Sequence, residues 1–211
     1  MEPNLLNRNQ HILSYSPEVQ RGRVTETKWP VPSQLIVETF VLRETTIVDP
    51  CELTAHPATH LVSIASEPRE AARCWHHQQR TGKFAGEGWI SLELNGQQLM
   101  PREAWTHLAL FWQSMLDAVE SYLNTGTGRG DFSEETAGFS LTRSGQLLIF
   151  ELRGQRYLAE PLSFLHGVLR GANQFYRWAR EYVGTVPAAS LDYVTQLQAR
   201  LAALTAARNS R

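Results

Sequence analysis

Between residues 88 and 184 the sequence follows the same plan twice, a tight-turn hairpin and then an amphipathic helix. In the first unit, residues 89–94 alternate apolar and polar side chains, and Asn95-Gly96 supplies the positive φ angles that a two-residue turn requires. A return strand is predicted next, and then a helix that begins at Pro101, because a missing N–H costs nothing in a first helical turn. The apolar stripe of this helix is Trp105, Leu108, Trp112, Met115, Val119 and Tyr122.

The second unit repeats this order with few identical residues. Residues 139–141 and 147–152 are predicted to pair across Ser144-Gly145, and a third strand follows near 156–158. The helix after them is marked by an initial proline, an apolar stripe and a terminal glycine, which are Pro161, Leu165, Val168, Ala172, Phe175 or Tyr176, Ala179, Tyr182 and Gly184.

Further strands and a short helix are predicted before the first unit. β-Branched and aromatic residues predict strands at 34–42, 45–49 and 60–66, and residues 68–80 favour a helix that begins at Pro68. Each of these elements has a single apolar face to bury. We therefore expect an α+β fold in which one antiparallel sheet of about six strands is packed by two long helices, with a short helix and a C-terminal helix in addition.

Three regions with different organisation are predicted along the chain. Residues 1–33 are polar and contain prolines, which is typical of an N-terminal arm over the fold, with Trp29 as its anchor. Residues 34–185 form a single α+β domain, and residues 186–211 form a C-terminal helix with an apolar seam. We expect this helix to pack on its own domain, and a homodimer through the helix is the alternative.

The composition is that of a globular chain without a strongly charged partner. Of 211 residues, 42% are hydrophobic and 19% are charged, and the net charge is −1, which does not indicate nucleic acid as a partner. No apolar run approaches the ~20 residues that span a bilayer, and the first residues lack the order of a secretory signal. We therefore expect a cytoplasmic protein that does not enter the membrane.

Thiol and imidazole side chains are concentrated between residues 51 and 77, which raises the question of a zinc site. The weak candidate ligands are Cys51, His56, His60, Cys74 and His76. Their spacing is loose, no Cys-x-x-Cys pair occurs, and Pro57 interrupts the interval between His56 and His60. We interpret the cysteines as small buried residues and the histidines as residues at element ends, and we predict no metal and no cofactor.

No catalytic motif is recognisable in the sequence. It has no Gly-x-Ser-x-Gly elbow, and neither cysteine lies in a thiol-enzyme motif. Adjacent carboxylates occur at Glu134-Glu135, but such pairs are usually solvated charge. We predict no catalytic residues, and a small enzyme with an unrecognised site stays as an alternative.

A glycine-rich segment, residues 126–131, follows the first long helix. A phosphate-binding loop needs a strand before it and a helix after it, and here that order is reversed. We interpret the segment as a helix stop and a mobile connection to the second hairpin. Because loops at the ends of rigid helices often carry contacts, Arg129 and Asp131 are candidate partner-binding residues.

Arginines are predicted to share one face of the second long helix. Arg170, Arg177 and Arg180 are separated by seven and three residues, so they lie opposite the apolar stripe. Trp178 falls off the stripe near Arg177, and we expect it to be an exposed anchor for a protein interface. A solvated helix surface is the competing interpretation of the arginine face.

These observations predict a non-enzymatic protein that binds a macromolecule, with another protein as the partner. In its size, its ββα units and its tryptophan-rich core, the chain resembles bacterial immunity and antitoxin-type proteins, and that resemblance implies a partner toxin that is bound and blocked. The alternative from another class is a nucleic-acid or phosphate-ligand module that uses this arginine face and a second one on the short helix, formed by Arg69, Arg73 and Arg80.

Overall fold

A computed structural model describes residues 34–43, 50–81, 86–131, 138–184 and 188–209. The described residues belong to one unit of the chain with a common core. The predicted arm at 1–33 with Trp29, the predicted strand at 45–49 and the Glu134-Glu135 pair lie outside the described residues.

The described elements confirm an α+β fold with two long helices, a shorter helix near residue 68 and a C-terminal helix. In chain order they are β1 (Leu35–Leu42), α1 (Pro50–Ala55), α2 (Pro57–His60), β2 (Leu61–Ser63), α3 (Pro68–Thr81), β3 (Glu87–Leu94), β4 (Gln97–Gln98), β5 (Thr106–His107), α4 (Leu108–Thr125), β6 (Thr127–Gly130), β7 (Phe139–Ser144), β8 (Leu147–Leu152), β9 (Gln155–Ala159), α5 (Pro161–Trp178), a π-helical turn (Ala179–Val183) and α6 (Ala188–Asn209).

The strands are antiparallel as predicted, but they divide between two sheets where we expected one of about six strands. The first sheet has the order β2-β1-β3-β4, with β5 also paired to β3, and the second has the order β6-β7-β8-β9. The division arises because β6 folds back along α4 directly after that helix ends and pairs with β7. The second hairpin therefore extends a new sheet and not the first one.

Tight turns join the hairpins close to the predicted positions. The first hairpin turns at Asn95 and Gly96, with φ angles of 53° and 83°, as the sequence predicts. In the second hairpin Ser144 pairs with Leu147, so the turn lies at residues 145–146, one residue later than predicted.

The first long helix begins at Leu108 and not at Pro101. Pro101 opens a turn, in which its carbonyl oxygen accepts a backbone hydrogen bond of 3.1 Å. His107 then caps the helix, because its Nδ1 accepts the N–H of Leu110 at 3.4 Å. Trp105 therefore lies before the helix and is not part of its stripe. The other residues of the predicted stripe lie on the helix and are buried.

The second long helix begins and ends where the sequence predicts. The carboxylate of Glu160 accepts the N–H of Ser163 at 2.7 Å, and Pro161 occupies the first helical turn. The helix continues through the π-helical turn to Gly184, whose φ of 78° is the left-handed C-cap conformation.

Each long helix packs on the sheet of the other unit. Helix α4 follows the first hairpin but lies against β6 of the second sheet, and α5 follows the second sheet but lies against β1 of the first. Glycines permit both contacts: a Cβ atom at Gly128 would lie 2.0 Å from the carbonyl oxygen of Ala118, and one at Gly171 would lie 2.6 Å from Cγ1 of Val37. The two units consequently share one core.

The C-terminal helix α6 packs along α5 and also touches α4. Its apolar seam, with Val194, Leu197 and Leu201, is buried in the main core. Tyr193 fixes the helix further, because its hydroxyl donates a hydrogen bond of 2.9 Å to the carboxylate of Glu120. The seam is therefore covered by its own chain, as we expected, and the homodimer stays a prediction.

Candidate partner-binding surface

The outer face of the second sheet carries the candidate site, and we name it the open face. Its residues alternate along the strands with residues that point into the core, as the period of two in a strand requires. It consists of exposed and half-buried side chains, which are Thr127, Arg129, Ser140, Thr142, Ile149, Glu151, Arg156 and Leu158. Alternate neighbours such as Leu141 and Phe150 are fully buried.

One row of polar side chains crosses all four strands of the open face. Arg129 lies opposite Ser140, Ser140 lies opposite Glu151, and Glu151 lies opposite Arg156. The carboxylate of Glu151 accepts a hydrogen bond of 2.8 Å from Nε of Arg156. Directly opposed residues have Cβ atoms about 4.5–5.5 Å apart, so the row presents two guanidinium groups, a hydroxyl and a carboxylate as one continuous strip.

A second row on the same face mixes hydroxyl and apolar side chains. Thr127 lies opposite Thr142, Thr142 lies opposite Ile149, and Ile149 lies opposite Leu158. Leu158 is 52% exposed, although burying a leucine side chain is worth roughly 1.5–3 kcal/mol. This second row is thus polar towards β6 and apolar towards β9.

A hollow of about 470 Å³ lies within the open face. Arg129, Asp131 and Arg156 line it together with Ser140 and Glu151. The structure therefore brings together the two residues predicted from the glycine-rich segment and adds three residues from neighbouring strands. Because the lining holds two carboxylates and two guanidinium groups, it suits a polar surface of mixed charge better than a polyanion.

The segment after α4 is a strand, so the prediction of a mobile connection is wrong. Gly126 does end the helix, with a φ of 82°, but Thr127–Gly130 then pairs with β7. A Cβ atom at Gly130 would lie 2.2 Å from the ring of Phe139. The glycines thus permit close packing of β6, and Arg129 is held on a strand.

Trp178 is buried, which contradicts the prediction of an exposed anchor. Its side chain is 4% exposed, and its Nε1 donates a hydrogen bond of 2.9 Å to the carbonyl oxygen of Pro68. The reason is that α3 covers this side of α5, where Trp75 meets Trp178 edge-on with ring centroids 5.6 Å apart. This covering helix comes from a segment 110 residues earlier in the chain, so the residues of α5 alone carry no sign of it.

The three arginines of the predicted face are exposed, Arg170 and Arg177 on α5 and Arg180 on the π-helical turn that continues it. Arg170 is tied to the first sheet, because its Nη2 donates a hydrogen bond of 3.1 Å to the carbonyl oxygen of Leu35. Arg177 and Arg180 lie on the same exposed side of the helix. With Trp178 buried, they lose the stacking platform that a single-stranded nucleic acid would use beside the charges.

The weak metal-ligand candidates are not assembled. Cys51 is exposed, contrary to prediction, because the short helix α1 buries Leu53 instead. Cys74 is buried, as predicted, and its burial raises the pKa of its thiol. His56 is exposed, and His60 and His76 are half-buried. Within the described ranges no group of three or more His, Cys, Asp or Glu side chains is placed to hold a metal ion.

Of the eight residues of the open face, the sequence pattern identified only Arg129; the seven that it missed include Ser140, Glu151, Arg156 and Leu158. Residues 147–152 are apolar except for Glu151, so that one residue was the only local sign of which side of the strand faces outward. What was lacking was the register, which aligns these residues with Arg129 in rows across the sheet.

Comparison with known proteins gives no match: no protein-family model fits the sequence, and no curated protein or solved structure matches the chain. None of the helices in the described part of the chain combines the length and the apolar character needed to cross a membrane.

Proposed function

We propose that this protein acts by binding a partner protein through the open face, without catalysing a reaction. One observation carries the proposal: two rows of exposed and half-buried side chains cross all four strands in fixed register, and one row ends at Leu158, which is 52% exposed. Rigid elements place these groups, and a mixture of apolar contact area with ordered polar groups is the composition of protein interfaces.

The balance of charge favours a protein over a nucleic acid as the partner. Arg129 and Arg156 face the same hollow as Asp131 and Glu151, so the lining has no net charge. Nucleic acids are held chiefly by cations on their phosphates, and carboxylates in the same hollow would repel them.

The immunity- or antitoxin-type role predicted from the sequence is one form of this proposal, in which the partner is a toxin. Such a partner is bound stoichiometrically and blocked by coverage of its surface, which requires no reactive group on the binding protein. An uncovered sheet face of mixed polarity suits that task.

Site-specific photocross-linking in the native host tests the proposal. A benzophenone amino acid at Ser140 or Leu158, both on the open face, should capture one discrete partner protein. The same amino acid at Arg180, which is exposed on the π-helical turn after α5, should not. Equal capture from Arg180, or no capture from the open face, would contradict the assignment of the surface.

A charge-reversal pair sharpens the test. Arg129→Glu should abolish the cross-link from Leu158, since it changes one end of the polar row, whereas Arg177→Glu on α5 should leave it intact. Because both arginines are exposed, the free energy of unfolding of each variant should differ from that of the natural chain by no more than about 0.5 kcal/mol.

A further inference from the structure

The first sheet carries a groove on its own outer face that the open face does not explain. It measures about 320 Å³ and lies between β1, α2 and the turn after β2. Its lining combines aromatic, acidic and apolar side chains, which are Glu38, Phe40, Pro57, Leu61, Glu67 and Trp89, with Arg102 at one side. The volume is within the range of small-ligand sites, about 300–1,000 Å³.

Two aromatic rings, tilted by 35° to each other, form the floor of the groove. Phe40 and Trp89 lie opposite each other on β1 and β3, with ring centroids 5.3 Å apart. Trp89 is fixed because its Nε1 donates a hydrogen bond of 3.0 Å to the carbonyl oxygen of Pro101. The guanidinium carbon of Arg102 lies 5.8 Å from the centre of the Trp89 ring, which shows that this floor accepts a guanidinium group.

Ser63 contacts both acidic residues of the groove, the carboxylate of Glu38 and the backbone of Glu67. Its hydroxyl donates a hydrogen bond of 2.6 Å to Oε1 of Glu38 and accepts the N–H of Ser66 at 3.2 Å. Its carbonyl oxygen accepts the N–H of Glu67 at 3.0 Å. Because Ser63 itself is 6% exposed, it anchors both acidic residues from below.

The charges around the groove leave an excess of carboxylate. Glu38 and Glu67 form no ion pair with any described residue, and among the described residues of the lining Arg102 is the one that is basic. On β3, Ser91 lies opposite Glu38. Glu93, two residues further along the strand, adds a third carboxylate to the same sheet face. A cation is therefore the complementary ligand.

We propose that this groove binds an arginine side chain presented by an extended segment of a partner protein. The planar guanidinium stacks on Phe40 and donates to the carboxylates of Glu38 and Glu67, which a lysine ammonium cannot do in the same geometry. The apolar walls at Pro57 and Leu61 contact the residues on either side of that arginine. This site is separate from the open face and does not depend on it.

The test uses the full chain labelled with nitrogen-15 and three probes: the tripeptide Ac-Gly-Arg-Gly-NH2, the same tripeptide with neutral citrulline, and free arginine. The indole N–H resonance of Trp89, assigned with Trp89→Phe, should shift saturably with the arginine tripeptide. Citrulline has nearly the same shape without the charge, and it should give no saturable shift. Free arginine should bind more weakly, because it lacks the flanking backbone.

The Glu38→Gln, Glu67→Gln double variant should weaken binding of the arginine tripeptide about tenfold or more, since both charge-assisted acceptors are removed. The matched control is the Glu181→Gln, Asp192→Asn double variant, which removes equal charge from exposed positions elsewhere and should bind normally. Phe40→Leu keeps both carboxylates and should also weaken binding. Equal binding of the citrulline tripeptide, or unchanged affinity in the Glu38→Gln, Glu67→Gln variant, would overturn the proposal.

Discussion

In both sheets the side chains of each strand point alternately to the inner and the outer face, but the two outer faces differ in what covers them. On the first sheet, the short helices α1 and α2 cover one end of the face, where a second small core forms from Leu42, Leu53, Leu61 and Trp89. On the second sheet, the corresponding alternate positions stay exposed, and Leu158 lies 52% in solvent. One outer face is thus partly a core, and the other is a surface.

The two faces differ in charge as well. Glu38, Glu67 and Glu93 outnumber Arg102 on the first, whereas the hollow on the second pairs two arginines with two carboxylates. The inner faces, in contrast, are both locked to long helices through glycine contacts. Burial on the inner side therefore determines the fold, and the outer sides are left free to differ in what they bind.

The largest effect is expected where the second sheet meets its helix. Gly128→Ala would place a Cβ atom 2.0 Å from the backbone oxygen of Ala118, which neither backbone can avoid without moving apart. We expect the free energy of unfolding to fall by more than about 3 kcal/mol, measured by chemical denaturation. Gly145→Ala is the control: its φ of 59° is strained, but nothing lies within 4 Å, so the loss should be about 1–2 kcal/mol. Equal losses would show that the close approach of β6 to α4 is unimportant.

Replacing one leucine by alanine on each outer face tests directly whether the first is covered and the second is exposed. Leu53→Ala removes a side chain with 0% exposure from the small core under α1 and should cost about 2–4 kcal/mol. Leu158→Ala on the open face should cost less than about 0.5 kcal/mol, yet it should weaken partner cross-linking. If the two variants lose similar stability, the open face is covered and our description of it fails.

Alkaline pH should lower the free energy of unfolding through a buried residue of the core, Tyr176, and this effect does not involve the outer faces. Burial, and after it the charge of Asp117, raises the pKa of Tyr176 from 10.0 to about 12. The unfolded chain then releases the phenolic proton before the folded chain does, so this contribution is full below about pH 10 and is lost as the pH rises through 12. Two pKa units correspond to about 2–3 kcal/mol. Tyr176→Phe should make stability fall less steeply between pH 10 and 12, as followed by urea unfolding at each pH, and an unchanged slope would contradict the assignment.

Local elements were predictable because their signals are local. The turn at Asn95-Gly96 and the helix between Pro161 and Gly184 each follow from a few neighbouring residues. The predicted start of α4 was wrong because a proline such as Pro101 is compatible both with a β-turn and with the first turn of a helix. The pairing of His107 with Glu87 keeps the chain extended up to Leu108, so the helix begins only there.

The candidate surfaces were only partly predictable, because they depend on pairing between distant strands. Arg129 and Asp131 were identified from their segment, but the row that joins Arg129 to Arg156 exists only once four strands are in register. Trp178 was misjudged for the same reason, since α3 comes from a region 110 residues earlier along the chain. Likewise, no local pattern indicates that each helix packs on the sheet of the other unit.

The smallest effect on stability is expected from the ion pair on the open face. Arg156 and Glu151 are 2.8 Å apart, but their side chains are 72% and 37% exposed, and such pairs contribute about 0–1 kcal/mol, less at high salt. Glu151→Gln should therefore change the free energy of unfolding by no more than about 0.5 kcal/mol, measured at low and high salt. The same variant releases Arg156 and gives the hollow a net positive charge, so the cross-link from Ser140 should weaken although the fold is intact. Loss of stability together with unchanged cross-linking would mean that this pair serves the fold, and the contrast between the two outer faces would then lose its functional meaning.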